Sequence, residues 1–289
     1  MKYEGIVYRP PSEAYSLIIQ VTIGCSHNKC TFCNMYKSKK FRVRKIDDVI
    51  KDLIEARRNY KCVKRIFLAD GDALILKNEE LKKILVKIQE LFPECERIGI
   101  YGSPKNILRK TVEELRELKQ LGLGIIYLGI ESGSDEILKC VNKGVSSSEI
   151  VKAGKKVVSS GIKLSVMIIS GLGGKEKWKE HAEESARVLN EIDPDYFALL
   201  TLLIHPETQI YEDIKAGKVE LLNPNEIMIE TKHLIKNLKL TNCVFRSNHA
   251  SNYVALGGVF PKDKEIILKE LEKAINEKYD YKDEHYRRL

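Results

Sequence analysis

The chain has 289 residues and a formal net charge of +8, from 49 basic and 41 acidic side chains. Hydrophobic residues make up 43% and charged residues 31% of it, which excludes a disordered chain, a collagen-like fibre and a disulfide-stapled mini-protein. This mild positive excess is typical of a lysine-rich surface, so we do not expect a nucleic-acid partner. Without a signal-peptide pattern or an apolar run of about 18 residues, we expect a cytoplasmic protein that does not enter a membrane.

Six short apolar segments alternate with amphipathic helical segments along the first three quarters of the chain. The predicted strands are Ser16–Thr22, Val63–Ala69, Arg97–Tyr101, Leu123–Ile130, Lys163–Ser170 and Tyr196–Leu203. The predicted helices are Asp47–Ala56, Glu79–Leu91, Val112–Leu121, segments over Asp135–Ser160, and Lys177–Ile192. Because the strands are apolar throughout and helices separate them, we expect parallel strands with crossover helices.

This alternation fits a doubly wound open sheet or a complete or partial barrel, and the lack of G-x-G-x-x-G after the first strand weakens the dinucleotide-binding version. Either architecture puts the active site at the carboxyl ends of the strands. We expect an N-terminal extension over residues 1–13, a core over 14–215 and a C-terminal extension over 216–289. The extension is predicted to hold a helix over Pro224–Leu238, a strand over Cys243–Arg246, a polar turn, a helix over Lys262–Glu277 and a frayed charged tail over Tyr279–Leu289.

Three of the seven cysteines lie within nine residues, directly after the first predicted strand. Cys25, Cys30 and Cys33 form the pattern C-x4-C-x2-C, and soft ligands at this density predict a shared zinc ion or iron–sulfur cluster. Zinc needs a fourth ligand, but His27 is too close to Cys25 for the usual spacing and no second C-x2-C pair exists.

Two iron–sulfur arrangements remain open. A plant-type ferredoxin arrangement would recruit Cys62, and the protein would then be a non-enzymatic electron carrier or cluster scaffold. The other is a [4Fe–4S] cluster with three protein ligands and one open iron. In that form the motif resembles the cysteine loop of radical S-adenosylmethionine (radical SAM) enzymes, whose usual spacing is C-x3-C-x2-C. Phe32 stands at the aromatic position that precedes their third cysteine.

The second predicted strand ends in Asp70, Gly71 and Asp72. From the residues alone, this is a tight turn capped by aspartates. It also resembles the Gly-Gly-Glu-like turn of the radical SAM family. The resemblance implies that the turn presents backbone carbonyls and that Asp72, at the acidic position, meets the ammonium group of S-adenosylmethionine.

Residues 129–135, GIESGSD, follow the fourth predicted strand. They resemble the GxESGS block of the branch with coproporphyrinogen dehydrogenase-like, methylthiotransferase-like and cobalamin-dependent members. The resemblance implies that Glu131 and Ser132 face the ribose or methionine part of S-adenosylmethionine. The same residues also fit a helix start, with Ser132 or Ser134 as N-cap and Asp135 in the first turn.

Two more blocks follow the fifth and sixth predicted strands. Ser170 and Gly171 lie in ISGLGG, which resembles the family's turn against adenine and which otherwise is a glycine turn into a helix. His205 opens HPETQIY, similar to the family's P-G-T-x-(L/I)-Y block with Glu207 in place of glycine, and is a candidate substrate contact. The matching blocks cover about residues 16–215.

By these motifs the chain is identified as a member of the radical SAM superfamily. The resemblance implies a partial (β/α)6 TIM-like barrel whose open side is capped by the C-terminal extension. It also implies an oxidoreductase or transferase that reductively cleaves S-adenosylmethionine, at a [4Fe–4S] cluster on Cys25, Cys30 and Cys33, to a 5′-deoxyadenosyl radical that abstracts hydrogen from a substrate. No second cysteine cluster, cobalamin domain or RNA-binding domain is recognisable, so we expect a compact, single-cluster member.

Two polar regions remain for partner and substrate. Residues 37–45, KSKKFRVRK, hold six basic residues and no acid; they fit a solvated loop or a docking surface for flavodoxin or ferredoxin, formed by Lys39, Lys40, Arg42 and Arg44. Residues 246–252, RSNHASN, fit a turn whose side chains bond to the backbone or a cap that recognises the substrate. The candidate substrate residues there are Arg246, Asn248, His249 and Asn252.

Overall fold

The structure, a computed structural model, describes residues 3–277 and 281–287. The strands are β1 (Leu17–Gln20), β2 (Thr22–Ile23), β3 (Arg42–Val43), β4 (Arg65–Ala69), β5 (Arg97–Tyr101), β6 (Leu123–Glu131), β7 (Lys163–Ser170), β8 (Tyr196–Thr201), β9 (Cys243–Ser247) and β10 (Leu256–Phe260). The helices are α1 (Ile46–Asn59), α2 (Asn78–Leu91), α3 (Pro104–Leu108), α4 (Val112–Gln120), α5 (Asp135–Cys140), α6 (Ser147–Ser160), α7 (Gly174–Ile192), α8 (Gln209–Lys215), α9 (Pro224–Asn237) and α10 (Lys264–Asn276). Short 3₁₀ helices are formed by Pro11–Glu13, Ala73–Ile75 and Glu284–Tyr286.

Over the described residues, eight strands form a mostly parallel sheet in the order β1-β4-β5-β6-β7-β8-β9-β10. β10 pairs antiparallel to β9, and β2 pairs antiparallel to β3 in a separate two-stranded sheet. The α/β class and the alternation of parallel strands with helices are confirmed. None of the helices in the described part of the chain is long and apolar enough to cross a membrane.

The predicted elements differ from the structure mainly where glycines or bends interrupt a pattern. The first predicted strand, Ser16–Thr22, is two strands, because β1 ends at Gln20 and β2 leaves the main sheet to pair with β3. β10 has no counterpart among the predicted elements, because its sequence LGGVF is short and has two glycines. The predicted boundaries at residues 13 and 215 stay a prediction.

The chain forms two compact units. The first comprises the described residues up to Asn28, Met35–Leu128 and Lys152–Leu164. β4 is buried along four of its five residues, which explains its continuous apolar run. Inside this unit Phe67 packs with Tyr101 and Tyr127, at ring-centroid distances of 4.9 and 5.9 Å.

The N-terminal segment is part of the first unit. Glu13 is fully buried and accepts hydrogen bonds from Tyr127 Oη and from Arg97 Nη2, the latter at 2.7 Å. Along the outer edge of β1, Tyr3 Oη donates to the Ile18 carbonyl at 3.0 Å and Arg44 Nη1 donates to the Gln20 carbonyl at 2.7 Å. These contacts fasten residues before the first strand onto the sheet.

The second unit comprises Lys29–Asn34, Gly129–Val151 and the described residues from Ser165 onward. α7 packs against α9, and α9 packs against α10. Phe245 joins the strands, because its ring stacks on Phe197 at 5.2 Å and packs on Phe260 at 5.7 Å.

The tail was predicted to fray, but residues 281–287 pack onto the second unit; residues 279–280 and 288–289 lie outside the described residues. The Arg287 guanidinium lies 4.0 Å from the ring centroid of Tyr253. Its Nη2 donates to the Leu202 carbonyl at 2.9 Å and its Nε to the Ser251 carbonyl at 2.6 Å. The charged sequence of the tail does not predict this packing, because the acceptors are backbone carbonyls of residues distant in sequence.

Candidate active site

In the first unit, Cys25 lies beside the turn that follows β4. A Cβ atom on Gly71 would stand 2.6 Å from the Tyr36 ring and 3.1 Å from the Cβ of Cys25. Only glycine therefore allows this turn to approach the cysteine so closely. Cys25 is half-buried and its thiol is free.

Cys62, the candidate fourth cluster ligand, lies at the other end of β4. It is exposed and precedes the strand, whereas Gly71, which touches Cys25, follows it. A five-residue strand is about 16 Å long. Cys62 is therefore not placed to share a cluster with Cys25, and the ferredoxin-like alternative loses its fourth ligand.

Asp70 is fully buried and anchors the chain around the cysteine loop. Its Oδ2 accepts hydrogen bonds from Gln20 Nε2 at 3.2 Å, Gly24 N at 3.1 Å and Lys39 Nζ at 2.8 Å. Its Oδ1 has no hydrogen-bond partner among the described residues. Such a buried carboxylate needs a compensating charge, which Lys39 supplies.

Lys39 has a structural role in the first unit, because its side chain is only 8% exposed and its ammonium faces Asp70; its docking role stays a prediction. Arg44 is also engaged inward, since its Nη1 lies 2.7 Å from Asp52 Oδ2. Lys40 is exposed, and so is Arg42, which pairs with the exposed Glu4. Of these four basic residues, only Lys40 and Arg42 are therefore exposed at the surface.

Asp72 is buried and both of its carboxylate oxygens are hydrogen-bonded within the first unit. Oδ1 accepts from Ser103 N at 3.0 Å, and Oδ2 accepts from Asn106 Nδ2 and from Ser26 Oγ, next to Cys25. The carboxylate links the segments after β2, β4 and β5. This structural role was not part of the prediction for Asp72.

The remainder of the cysteine loop, Lys29–Asn34, belongs to the second unit. Thr31 ties it down: its N–H donates to the Val141 carbonyl at 3.0 Å and its carbonyl accepts from Ile210 N at 3.1 Å. Phe32 packs against an apolar cluster at the strand ends. The cluster consists of Ile137, Val141, Ile169, Leu172, Leu202 and Ile210. The aromatic position of the motif thus anchors the loop by hydrophobic burial.

Cys30 and Cys33 are half-buried, like Cys25. Across residues 3–277 and 281–287, no three His, Cys, Asp or Glu side chains are grouped to hold a metal ion. This concerns sites where all ligands touch one ion, whereas the cysteines of an iron–sulfur cluster bind different iron atoms. Three soft donors within one short loop are the ligand type that iron–sulfur clusters use.

Glu131 ends β6 in an unusual conformation, with a φ angle of 69° in the left-handed region. Its Oε1 lies 2.8 Å from Lys143 Nζ. A Cβ atom on Gly129 would stand 2.2 Å from Oε1, so the carboxylate folds back over the space that the missing side chain leaves open. Glu131 is 6% exposed, and its Oε2 has no hydrogen-bond partner among the described residues.

The Ser132 hydroxyl lies 2.8 Å from Nδ1 of His181, a buried residue of α7. Ser134 is the N-cap of α5, because its Oγ accepts from Ile137 N at 3.2 Å, which confirms the capping interpretation. Burial lowers the pKa of His181 to about 4, so its ring is neutral. Sequence analysis missed His181, whose only signal is a histidine on the buried face of an amphipathic helix.

Ser170 and Gly171 meet Glu230, a buried residue of α9 that the sequence analysis also missed. Glu230 Oε1 accepts hydrogen bonds from Ser170 Oγ and from Gly171 N, the latter at 2.8 Å. Burial raises the pKa of Glu230 to about 7, despite these donors, which favour the ionised form. An available signal is that Ile227, Glu230 and Leu234 share one face of α9, so an acid occupies a core position.

A cavity of about 370 Å³ opens in the second unit at the ends of β7 and β8. Its lining includes Gly171, Leu202, Ile204, Ile227 and Arg287. The wall thus combines apolar side chains with polar ones, among them Thr201, Glu284 and the Arg287 guanidinium. His205 follows the lining segment; its backbone carbonyl accepts from Thr208 N at 3.0 Å.

The residues predicted to contact substrate after β9 do not form one group. Arg246 and Asn248 are exposed, whereas Asn252 is buried. Asn252 Nδ2 donates to the Leu199 carbonyl at 2.8 Å, and its Oδ1 accepts from Thr201 Oγ1 at 2.9 Å. The amide of Asn252 therefore joins β8 to the turn, and its substrate contact stays a prediction.

His249 stays within its own turn, where its Nδ1 accepts from Ser251 N at 3.1 Å. Burial lowers the pKa of His249 below its ordinary value. Its bond to a residue two positions on fits the interpretation of a turn whose side chains bond to the backbone.

Comparison with known proteins identifies the family of this chain. The profile of the Radical SAM superfamily matches residues 19–186, more than half of the chain. The heme chaperone HemW of Bacillus subtilis is 21% identical over 204 residues, which are 68% of this chain and 53% of HemW. An uncharacterised protein of Methanocaldococcus jannaschii is 28% identical over 226 residues, 73% of this chain and 68% of that protein.

Among solved structures, coproporphyrinogen III oxidase (HemN) from Escherichia coli, a radical SAM enzyme, matches with a TM-score of 0.57 and 18% identity. The match covers 76% of this chain and 52% of that one, and at this identity it shows a shared fold. The chain thus spans about half the length of HemW and of HemN. The chain belongs to the Radical SAM superfamily, whose enzymes use a [4Fe–4S] cluster and S-adenosylmethionine.

Proposed function

We propose that this protein reductively cleaves S-adenosylmethionine at a [4Fe–4S] cluster bound by Cys25, Cys30 and Cys33. When bound, such a cluster supplies one electron to the sulfonium, giving methionine and a 5′-deoxyadenosyl radical that takes a hydrogen atom from the substrate. The observation that carries the proposal is Glu131, whose buried Oε2 has no hydrogen-bond partner in the described part of the chain. A buried acceptor left without a donor is costly, so it indicates a ligand that supplies one.

In this proposal the chain's own residues bind and shield. Glu131 Oε2 accepts a hydrogen bond from a ribose hydroxyl. Phe32 covers the loop from its apolar side and keeps water out. The tight approach of Gly71 to Cys25 fixes the first ligand, and the Thr31 backbone bonds fix the segment with the other two.

An electron must come from a reductant, and we assign its docking to the exposed Lys40 and Arg42. A flavodoxin or ferredoxin carries the opposite charge, so the rate of electron transfer should fall as salt rises. The K40E/R42E variant should react slowly with the protein reductant and normally with dithionite. We place the protein in the cytoplasm, whose reducing conditions keep cysteine side chains available as cluster ligands.

The experiment is anaerobic reconstitution, reduction, addition of S-adenosylmethionine and quantification of 5′-deoxyadenosine. Cys33→Ala should abolish the product, whereas Cys62→Ser should keep it. A loaded wild-type protein that forms no product would refute the proposal.

A second measurement tests which residues contact the substrate. We assign substrate contacts to His205, Arg246 and His249. Their removal should stop substrate turnover and leave uncoupled formation of 5′-deoxyadenosine intact; equal loss of both activities would refute these contacts.

A further inference from the structure

We propose that His181 is a positioning residue, which orients the Ser132 hydroxyl and thereby directs the free oxygen of Glu131 toward a bound nucleoside. This inference rests on the proposed function, because it assumes that Glu131 contacts S-adenosylmethionine. His181 acts through Ser132 and touches no reacting atom.

The His181 ring joins the Ser132 hydroxyl to the Ile169 carbonyl, and the donor in each of these two hydrogen bonds can be assigned. His181 Nε2 lies 3.0 Å from the Ile169 carbonyl oxygen, which can only accept, so Nε2 carries the hydrogen. The ring is neutral because burial depresses its pKa, and Nδ1 therefore presents a lone pair. Ser132 Oγ consequently donates its hydrogen to Nδ1.

This direction leaves the Ser132 oxygen free to accept, and it accepts from Ser134 N at 3.1 Å. Gly133 N donates to Ser185 Oγ at 3.0 Å, four residues beyond His181 on α7. Residues four apart share one helix face. One face of α7 thus clamps the turn after Glu131 at consecutive residues.

The clamp matters because Glu131 is held in a strained backbone conformation. A non-glycine residue in the left-handed region costs on the order of 1–3 kcal/mol and persists only when its surroundings hold it. With φ at 69°, Glu131 keeps Oε1 on Lys143 and leaves Oε2 buried, with no hydrogen bond from residues 3–277 or 281–287. If the following turn loosens, Glu131 relaxes toward an extended conformation and its carboxylate turns away.

Two substitutions of His181 each keep one of the two hydrogen bonds of the imidazole and remove the other. In His181→Asn, the amide oxygen occupies the place of Nδ1 and can accept from Ser132. In His181→Gln, the amide nitrogen occupies the place of Nε2 and can donate to Ile169, but Ser132 loses its acceptor. The inference predicts that only the asparagine variant keeps the site oriented.

The probe is 5′-deoxyadenosine, which has the ribose but lacks the amino and carboxylate groups of methionine. Its dissociation constant can be measured by calorimetry on cluster-free and cluster-loaded protein. His181→Gln should weaken binding about tenfold, equivalent to about 1.4 kcal/mol, and His181→Asn no more than about threefold. With loaded enzyme, the glutamine variant should raise KM for S-adenosylmethionine and leave kcat nearly unchanged.

The outcomes separate this inference from the proposed function. Wild-type affinity in His181→Gln, or equal weakening in both variants in step with their melting temperatures, would overturn the positioning role alone. A wild-type protein that binds no 5′-deoxyadenosine and forms none from S-adenosylmethionine would overturn both. A tenfold loss restricted to His181→Gln supports the inference.

Discussion

Lys39 Nζ lies 2.8 Å from Oδ2 of Asp70, whose side chain is completely buried. The same ammonium donates to the Ile6 carbonyl, so one lysine joins the N-terminal segment, the loop after the cysteines and the turn after β4. A residue in a run of surface-like lysines is thus part of the core of the first unit.

Lys39→Met should destabilise the protein by about 3 kcal/mol, because it leaves the Asp70 charge buried without its counter-ion. Urea unfolding of the cluster-free protein measures the change. Lys40→Met is the matched control, since its side chain is exposed and it should change stability by less than about 0.5 kcal/mol. Equal stability of the two variants would contradict the structural role of Lys39.

Gly133→Ala should prevent the turn after β6 from packing on α7. Its Cβ would stand 2.1 Å from the backbone carbonyl oxygen of Glu184, which cannot move aside like a side chain. Gly217→Ala is the control, because Gly217 has a φ of 70° but nothing within 4 Å of the added carbon. The control should lose about 1 kcal/mol and Gly133→Ala clearly more, measured as free energies of unfolding. A smaller loss for Gly133→Ala would argue against this packing.

Glu230 and His181 give the free energy of unfolding opposite dependences on pH. Burial raises the pKa of Glu230 from 4.5 to about 7, so between these values only the folded chain keeps the proton and stability falls as pH rises. Burial lowers the pKa of His181 from 6.5 to about 4, so between these values only the unfolded chain holds the proton and stability rises with pH. The two slopes oppose each other between pH 4.5 and 6.5.

Glu230→Gln removes the pH dependence of stability that Glu230 causes and should leave the dependence that His181 causes. Its stability, relative to wild type, should rise by up to about 3 kcal/mol from pH 4.5 to 6.5. Urea unfolding at several pH values measures this difference, with the exposed Glu176→Gln as control. A constant difference across the range would show that Glu230 titrates normally.

Asn252→Ala should destabilise the second unit, because it removes the partners of the buried Leu199 carbonyl and Thr201 hydroxyl. We expect a loss of about 2–4 kcal/mol, from two unsatisfied buried groups. Asn248→Ala, four residues earlier and exposed, should be nearly neutral. Thermal unfolding of both variants provides the test, and similar melting temperatures would contradict it.

Most of the fold was accessible from the sequence because its strands are apolar throughout and its helices have a clear period. Arg97–Tyr101 and Lys163–Ser170 were predicted with the bounds that the structure has. The sheet end was less accessible, since β10 exists only through pairing with β9. Its two glycines carry no strand preference of their own.

The sequence predicts those site residues that lie together in one short motif. It does not predict residues that reach the site from a distant part of the chain. The segment from Glu131 to Ser134 could be located, but its clamp His181 lies 49 residues after Ser132. Lys39 and Lys40 look alike in sequence, and only Asp70, 31 residues beyond Lys39, decides which is buried. Local pattern gives the ends of strands, whereas charge pairing and burial depend on the packed chain.

The bonds along the edge of β1 also bear on how copies of this protein meet. β1 ends the order of the sheet, and an exposed edge strand is a template on which another chain can add a strand. Here Tyr3 and Arg44 already donate to the carbonyls of Ile18 and Gln20. The acceptors that an incoming strand would need are occupied, so the side chains that fasten the N-terminal segment also protect the protein against edge-to-edge aggregation.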